Sequence, residues 1–596
     1  MMFDLSASPF AGQDIRTLLR AQATARRDKT FLIWAPFEGA EQRWTYGEFV
    51  ERAERIAAGL WRRGVRPGDR VLVHLENCPE ALFAWFGCGI LGAIAVTTNA
   101  RSSADELAYF ASHSRAIGAI TQPKFRALLS DAAPGLSFAA VTDTDCGDAP
   151  AAPPAAGERF AALDADPALL PPRAADPAAP FGVQYTSGTT SRPKAVLWTH
   201  ANALWGARVS AAHEELREDD VHLVTMPLYH TNAQCYSVLA TLWAGGTLVL
   251  QPRFSASRFW PVAVTHRCTW TSIVPFCAKA LLAHEVPPAH SFRQRGNAYC
   301  APSEDRHFRV RTISWWGMTE TVTHGIVGLC GFPNAPLSMG RPAPEYQIRL
   351  LNDAGAPAEP GETGNLAIRG VRGLSLSTEY LEDPAATAAA FDKDGFLLTG
   401  DRALRDPDGF FYFADRAKDM LKVGGENVSA AEIERVIIGV PGVREVAVVG
   451  RSDPLLDEVP VALVLPTDPK DPTLTERITA ACVKSLAGFK MPREVRVLEE
   501  FPRATLGKVS KAKLRAVLSR PRISPLTRPC ALAIPRSRDN SELRWVYDTE
   551  IVSNLITIGT PVLRHVVAQK AQHSNAEVLE GGVALVVGDV PMHQTP

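Results

Sequence analysis

The stretch "YTSGTTSRPKAVLWTH", Tyr185–His200, decides how this chain is read. Nine of its residues, Thr186 to Lys194, hold five hydroxyls, Gly188, Arg192 and Lys194. "FGVQYTS" before the loop and "AVLWTH" after it are both strand-like, so the polar segment joins two strands. Successive backbone N–H groups and hydroxyls form a concave anion site, and a lysine adds a point charge suited to phosphate oxygens. The loop is built to hold a polyphosphate. It is not a Walker A loop, because Pro193 stands where the second glycine belongs and Lys194 is followed by Ala195.

Outward from the loop, the chain alternates strand-like and helical runs. "DRVLVHL" (69–75) predicts a strand, and "CPEALFAWFGCGIL" (78–91) predicts a helix with Pro79 in its first turn. "HLVTMPL", "GTLVLQP" and "VRTISWWG" are further short β-type runs. The alternation predicts α/β layers with mostly parallel sheets. The segment 149–180 is rich in Ala and Pro without an apolar period, and reads as a surface linker. A second boundary falls near 415–418. From 416 to 520 the pattern is a small α+β domain, with "SAAEIERVI" helical and "REVAVVG" and "VPVALVLP" as strands. Residues 521–596 form an atypical tail of unknown role.

At 596 residues the chain exceeds one compact core of roughly 100–200 residues. Its formal net charge of -1, with no basic block, excludes nucleic acid as a partner. The ten cysteines contain no CxxC pair, so a reducing, cytoplasmic setting is expected. The N-terminus has no basic region leading into an apolar one, so no signal peptide is expected. The longest apolar run, 81–96, is shorter than the ~20 residues that span a bilayer and reads as a buried helix.

"YTSGTTSRPK" resembles the phosphate-loop signature of the adenylate-forming acyl-CoA synthetase superfamily. Other blocks resemble that family in the same order: "PLYHTNAQ" (227–234), "GNAYCAP" (296–302), "WWGMTET" (315–321), "LTGDRALRDPDGFFYFADRAKDMLKVGGENVSAAEIE" (398–434) and "PRATLGKVSK" (502–511). Within the superfamily, "TSGTTSRPK", "CPEALFAWFG" and "GGENVSAAEIE" look most like crotonobetaine/carnitine–CoA ligases. The resemblance covers roughly 10 to 520. It implies a large N-terminal domain of layered α/β subdomains, 10–415, and a small mobile α+β lid, 416–520. It also implies ATP-dependent activation of a carboxylic acid as acyl-AMP, with pyrophosphate released and the acyl group passed to coenzyme A.

Residue by residue, the resemblance assigns Thr186, Ser187, Gly188, Thr189, Thr190 and Lys194 to the β- and γ-phosphates. It assigns Thr319 to the α-phosphate and Glu320 to Mg²⁺. Trp316 would stack on adenine where the family usually has Tyr, and Asp401 would accept from the ribose hydroxyls with Arg416 as a second clamp. Lys508 would reach the α-phosphate and carboxylate oxygens, His230 would lie near the carboxylate, and Lys418 matches the hinge. Gly424 and Gly425 would let the backbone close on the pantetheine arm. Acyl-pocket walls are expected from 231–236, 273–276 and 318–325. Among the aromatics, Tyr229, Tyr236 and Trp315 are candidates to face a quaternary ammonium. The partners implied are ATP, CoA and a small carboxylic acid; a homodimer is compatible with this reading.

Ala195 replaces the usual glycine and is expected to stiffen the loop. The match to G-x-G-x-x-G at Gly87–Gly92 falls inside an apolar helix and reads as helix packing. "HEELR" at His213 reads as an exposed helix face. Two other readings stay open. An adenylating module of a larger assembly would need a phosphopantetheine serine, which Gly581-Gly582-Val583-Ala584 lacks. A non-catalytic nucleotide-binding homologue would not need Lys194, Glu320, Asp401 and Lys508 together.

Overall fold

The computed structural model describes residues 7–152, 154–186, 192–416, 420–469, 471–502, 509, 511–518, 578–579 and 583–584. The chain divides into two units, 1–521 and 522–596. In the second, the described residues Val578–Leu579 and Val583–Ala584 pair antiparallel.

The first unit is built on four sheets. A seven-stranded sheet runs in the order Glu379–Tyr380, Lys194–Thr199, Pro180–Thr186, Ile94–Thr97, Arg70–His74, Gly118–Thr121, Phe138–Val141. Its last five strands are parallel, and its first two add antiparallel at one edge. A nine-stranded sheet is parallel through its centre, from Arg311–Trp316 to Thr30–Trp34. A four-stranded antiparallel sheet carries Leu397–Arg405 beside Phe411–Arg416. The fourth, five-stranded, lies within 420–497 and has its own apolar core around Val428, Ile433, Val464 and Ile478.

The helix Pro79–Leu91 shows why the large sheets stack. It is apolar all round, and all but one of its residues are buried. A helix of that kind must be covered on every side. Trp85 meets Phe181 of one sheet at 5.3 Å, and a Cβ on Gly89 would collide with the Phe181 ring. The glycines of the G-x-G-x-x-G match thus serve close packing, and Gly92 ends the helix in the left-handed region at φ +87°. Among the described residues no helix is long and apolar enough to cross a membrane. Nine cysteines among the described residues are free, and all nine are buried.

Two expectations change. The 149–180 segment is not purely a surface linker: Phe160, Leu163 and Ala165 are buried against the helix Tyr46–Arg62, and Asp164 pairs with Arg52 and Arg55. Its apolar residues are too sparse to show a period, yet they fill one shallow groove. The "HEELR" segment is not an exposed face either. His213 ends the helix His200–His213 with its side chain 9% exposed, and Glu214 is fully buried. Burial pushes the Glu214 carboxyl well up and the nearby His324 imidazole well down, so both are favoured in their neutral forms.

The linker contact is testable. A Cβ on Gly59 would strike the Leu163 carbonyl. Gly59→Val is expected to lower unfolding free energy by about 1–3 kcal/mol through overpacking, read as a lower thermal midpoint. An unchanged midpoint would show that the 160–165 turn is loosely held.

Candidate active site

The quoted loop lies between two strands that pair with each other as a hairpin. Pro180–Thr186 and Lys194–Thr199 pair antiparallel, with Thr186 opposite Lys194. Ser187, Gly188, Thr189 and Thr190 lie outside the described residues. Ala195 is part of the strand and buried in the core, so its methyl is a packing group. The short strand Glu379–Tyr380 pairs with this hairpin and sets Tyr380 opposite Val196. That pairing brings three groups together. The Lys194 ammonium lies 4.4 Å from the Tyr380 ring centroid, a cation–π contact. The Tyr380 hydroxyl donates to Glu320 Oε1 at 2.9 Å. Burial, and then the Glu320 charge, push the Tyr380 hydroxyl far up, which keeps it a donor. Tyr380 went unnoticed in the sequence because "STEY" carries no motif and only sheet pairing delivers it.

Thr319 and Glu320 stand on a single 3₁₀ turn, Thr319–Thr321, directly after the strand Arg311–Trp316. The Trp198 indole donates to the Thr319 carbonyl at 2.9 Å. The Thr231 hydroxyl donates to Gln184 Oε1 at 3.0 Å and lies 3.3 Å from Thr319 Oγ1. Gln184 in turn bonds Gln234, whose amide donates to the Leu228 carbonyl. Val322, immediately after the turn, has φ +64°. A β-branched residue is a genuine outlier there, and such strain persists only where the surroundings impose it.

Trp316 and Asp401 are also brought together. The Trp316 indole N–H donates to Asp401 Oδ2 at 2.9 Å, and both residues are buried. Asp401 sits opposite Arg416 in the antiparallel register. The Arg416 side chain, Lys418 and Lys508 lie outside what the structure describes.

His230 meets residues from two distant segments. Its Nε2 lies 3.0 Å from Glu426 Oε2, and the Arg101 guanidinium lies 2.5 Å from Glu426 Oε1. Glu426 closes the hairpin whose turn is Gly424-Gly425, with φ +59° and +86°. Two positive φ values in a two-residue turn demand glycine or a close substitute. A Cβ on Gly425 would come within 3.1 Å of Val274. Burial opposes the charge on Glu426, but His230 and Arg101 outweigh it and hold the carboxyl down at about 2. Arg101 carried no sequence signal, and the "GGENVSAAEIE" motif that holds Glu426 does not show its pairing with residues so distant in the chain.

On the other side of Thr319, Asn232–Leu239 is wound as a π-helix, a rare form concentrated at functional sites. It carries Tyr236, which sits with Trp315 at 5.5 Å and His324 at 4.1 Å; Trp315 stacks on His324 at 4.5 Å and on Trp270 at 6.2 Å. Trp315 lies flat over Gly296, where a Cβ would collide with the indole, and the Tyr236 hydroxyl stands 2.5 Å from where a Gly317 Cβ would be. The expected trio of aromatics separates. Tyr229 packs on His230 and bonds Arg101, because the turn at 227–230 points it toward Glu426. Among the described residues, no three His, Cys, Asp or Glu side chains converge as a metal-ligand group.

The comparisons agree with this geometry. The family model described as AMP-binding enzyme matches 19–381, and that described as AMP-binding enzyme C-terminal domain matches 432–508. A crotonobetaine/carnitine–CoA ligase of Escherichia coli O7:K1 is 35% identical over 530 residues, covering 85% of this chain and 99% of that one. A double mutant of o-succinylbenzoate CoA synthetase from Bacillus subtilis, bound with its product analogue OSB-NCoA, superposes with a TM-score of 0.71 at 26% identity over 84% of this chain and 97% of its own. The same enzyme in complex with AMP gives 0.60 at 27% identity over 85% and 98%. The chain belongs to the AMP-binding enzyme family. Within it, the chain is an AMP-forming acid–CoA ligase.

The Glu426 cluster predicts a pH dependence. A carboxyl held below its ordinary range adds stability above that range and loses it as pH falls toward its own value. Wild type should exceed Glu426→Gln by on the order of 3 kcal/mol at pH 7. The gap should close between about pH 4.5 and about pH 2. Paired thermal melts across that range check it, and a gap that ignores pH contradicts it.

Proposed function

We propose that this chain adenylates a compact carboxylic acid at the face holding Lys194, Thr319 and Glu320, then turns its C-terminal part, 416–520, to thioesterify the product with CoA. The observation that carries the reading is the meeting of Lys194, Tyr380 and Glu320 beside Thr319, from separate parts of the chain. A carboxylate is a poor electrophile because its leaving group would be oxide. Joining it to AMP supplies a good leaving group, so the protein must hold two anions together and steady the charge on phosphorus.

In this reading Lys194 and the hydroxyls of 186–190 hold the β- and γ-phosphates, and Thr319 donates to the α-phosphate. Asp401, already fixed by the Trp316 indole, accepts from the ribose hydroxyls, with Arg416 beside it and Trp316 bordering the adenine. Lys508 bridges the α-phosphate and the substrate carboxylate during adenylation, and Lys418 is the hinge. Glu320 suits Mg²⁺, a hard cation that takes one or two carboxylates and completes its shell with phosphate oxygens and water. The ion would supply charge neutralisation between phosphates. Buried free thiols support a cytoplasmic setting.

The lid position supports the second half-reaction. Gly424-Gly425 is packed on Val274 and Glu426 on His230, and the higher TM-score belongs to the relative bound with a CoA product analogue. On the acyl side, the plate of Tyr236, Trp315 and His324 supports a short acid. Crotonobetaine, for which the curated relatives are partly named, is the first to test.

Pyrophosphate release, screened over short, branched, aromatic and betaine-type acids with and without CoA, tests the activity. Lys508→Ala is expected to cut adenylation by about 10²–10³-fold and to spare thioester formation from supplied acyl-AMP. Gly425→Leu should do the reverse. Equal loss of both half-reactions in each variant would overturn the two-orientation reading. Trp315→Leu is expected to shift kcat/KM toward longer acids by about 10–200-fold. An unchanged ranking of acids in a folded variant would remove Trp315 from the pocket wall.

A further inference from the structure

A second charged cluster joins the same two parts of the chain. The Lys490 ammonium bonds Glu106 and lies 3.0 Å from Glu432 Oε1. The three side chains are 7%, 7% and 4% exposed, so the cluster is nearly dry. Lys490 and Glu432 belong to the C-terminal part: one ends the 3₁₀ turn Gly488–Lys490, the other lies in the first turn of the helix Ala430–Ile438. Glu106 belongs to the N-terminal part, in the first turn of the helix Ala104–Ser114.

The contacts around the cluster cross the same seam. The Ser103 hydroxyl donates to the Ser485 carbonyl at 3.0 Å. The Arg101 guanidinium lies 4.6 Å from the Phe489 ring centroid while bonding Glu426, the partner of His230. The segment 101–106 thus touches the lid at Phe489, Lys490 and Ser485, and at Glu426 beside the reacting site.

The bonds divide by what survives if the lid turns away. Lys490–Glu432 lies wholly within the C-terminal part and moves with it. Glu106 keeps its own capping bond, with its Oε2 accepting from the Ser103 N–H at 2.7 Å. Within the cluster, only Glu106–Lys490 must break. A buried ion pair is weak as a source of fold stability, but it is demanding in geometry, because leaving either charge dry and unpaired is costly. That makes it a register device between two bodies.

We propose that Glu106 is a positioning residue for the CoA half-reaction: through Lys490 it fixes the lid orientation that sets Gly424-Gly425 and Glu426 against His230. The inference rests on the two-orientation reading above. Glu106 touches no proposed nucleotide group, so adenylation does not need it. Acyl transfer does, because the lid must be held while the thiol approaches.

The test uses the full chain, with crotonobetainyl-AMP as the adenylate probe, or the adenylate of whichever acid leads the pyrophosphate screen. Glu106→Gln and Lys490→Met are expected to leave pyrophosphate release without CoA within twofold of wild type. Thioester formation from the supplied adenylate plus CoA should fall at least tenfold. Lys490→Arg, which keeps the charge, should recover most of that loss. Thioester formation unchanged in a folded Glu106→Gln overturns the proposal. So does a parallel fall in both half-reactions, which marks a merely structural residue. If Lys508→Ala separates the half-reactions but Glu106→Gln does not, only this inference fails; if neither separates them, the two-orientation reading fails first.

Discussion

The site hangs on one short pairing, the strand Glu379–Tyr380 against Lys194–Thr199. Without it the hairpin that carries the polar loop would be an open sheet edge, with its backbone groups unpaired and its lysine free to wander. With it, a tyrosine from a distant stretch of the chain is set against both Lys194 and Glu320. The hydroxyl fixes the carboxylate and the ring faces the ammonium, so opposite charges are held near each other without collapsing into a direct pair. A direct pair would neutralise both groups. Through Glu320, and the Trp198 bond to the Thr319 carbonyl, the same edge also orients the 3₁₀ turn.

What was legible in the sequence follows the range of each interaction. The strands at 70–74 and 221–224, and the apolar helix 79–91, were readable because alternation and periodicity are local. The order of the motifs marked candidate site residues by resemblance, and of these the structure brings Lys194 and Glu320 together on Tyr380, and Trp316 together with Asp401. The partners of those residues were not. Tyr380 and Arg101 act through contacts between distant segments and lie in no motif, while Gln184 and Glu426 adjoin or lie in motifs that do not show what they touch. The π-helix at 232–239 and the positive φ at Val322 were equally hidden, since both are imposed by packing against local preference. Glu214 misled for the opposite reason: a charged "HEEL" segment is ordinarily solvated, and only the fold shows it sealed behind Trp270 and His324.

The two strained features stand on either side of Thr319. The π-helix starts just after His230 and Thr231, and Val322 follows the Thr319–Thr321 turn at once. An ordinary α-helix would rotate Tyr236 away from Trp315, and a relaxed Val322 would let the Thr319–Thr321 turn unwind. The strain sits next to Thr319 and is balanced by a large aromatic core around Trp198, Trp270 and Trp315. This wall is therefore held by dense dry packing.

The seam with the C-terminal part is built on another principle. Among the described residues it carries ionic or polar contacts at Glu426, Lys490, Asp457 and Ser485, beside apolar or ring contacts such as Gly425 on Val274 and Arg101 on Phe489. Apolar burial would hold the two surfaces in any register, because it has no direction. Ion pairs hold them in one register only, and each separated charge regains water when the surfaces part. A seam of that composition holds a single orientation and still comes apart cleanly. The two-step use of one site proposed above calls for both properties: dry aromatic packing around Trp315 gives a fixed wall, and charged contacts at Glu426 and Lys490 give a seam that can separate.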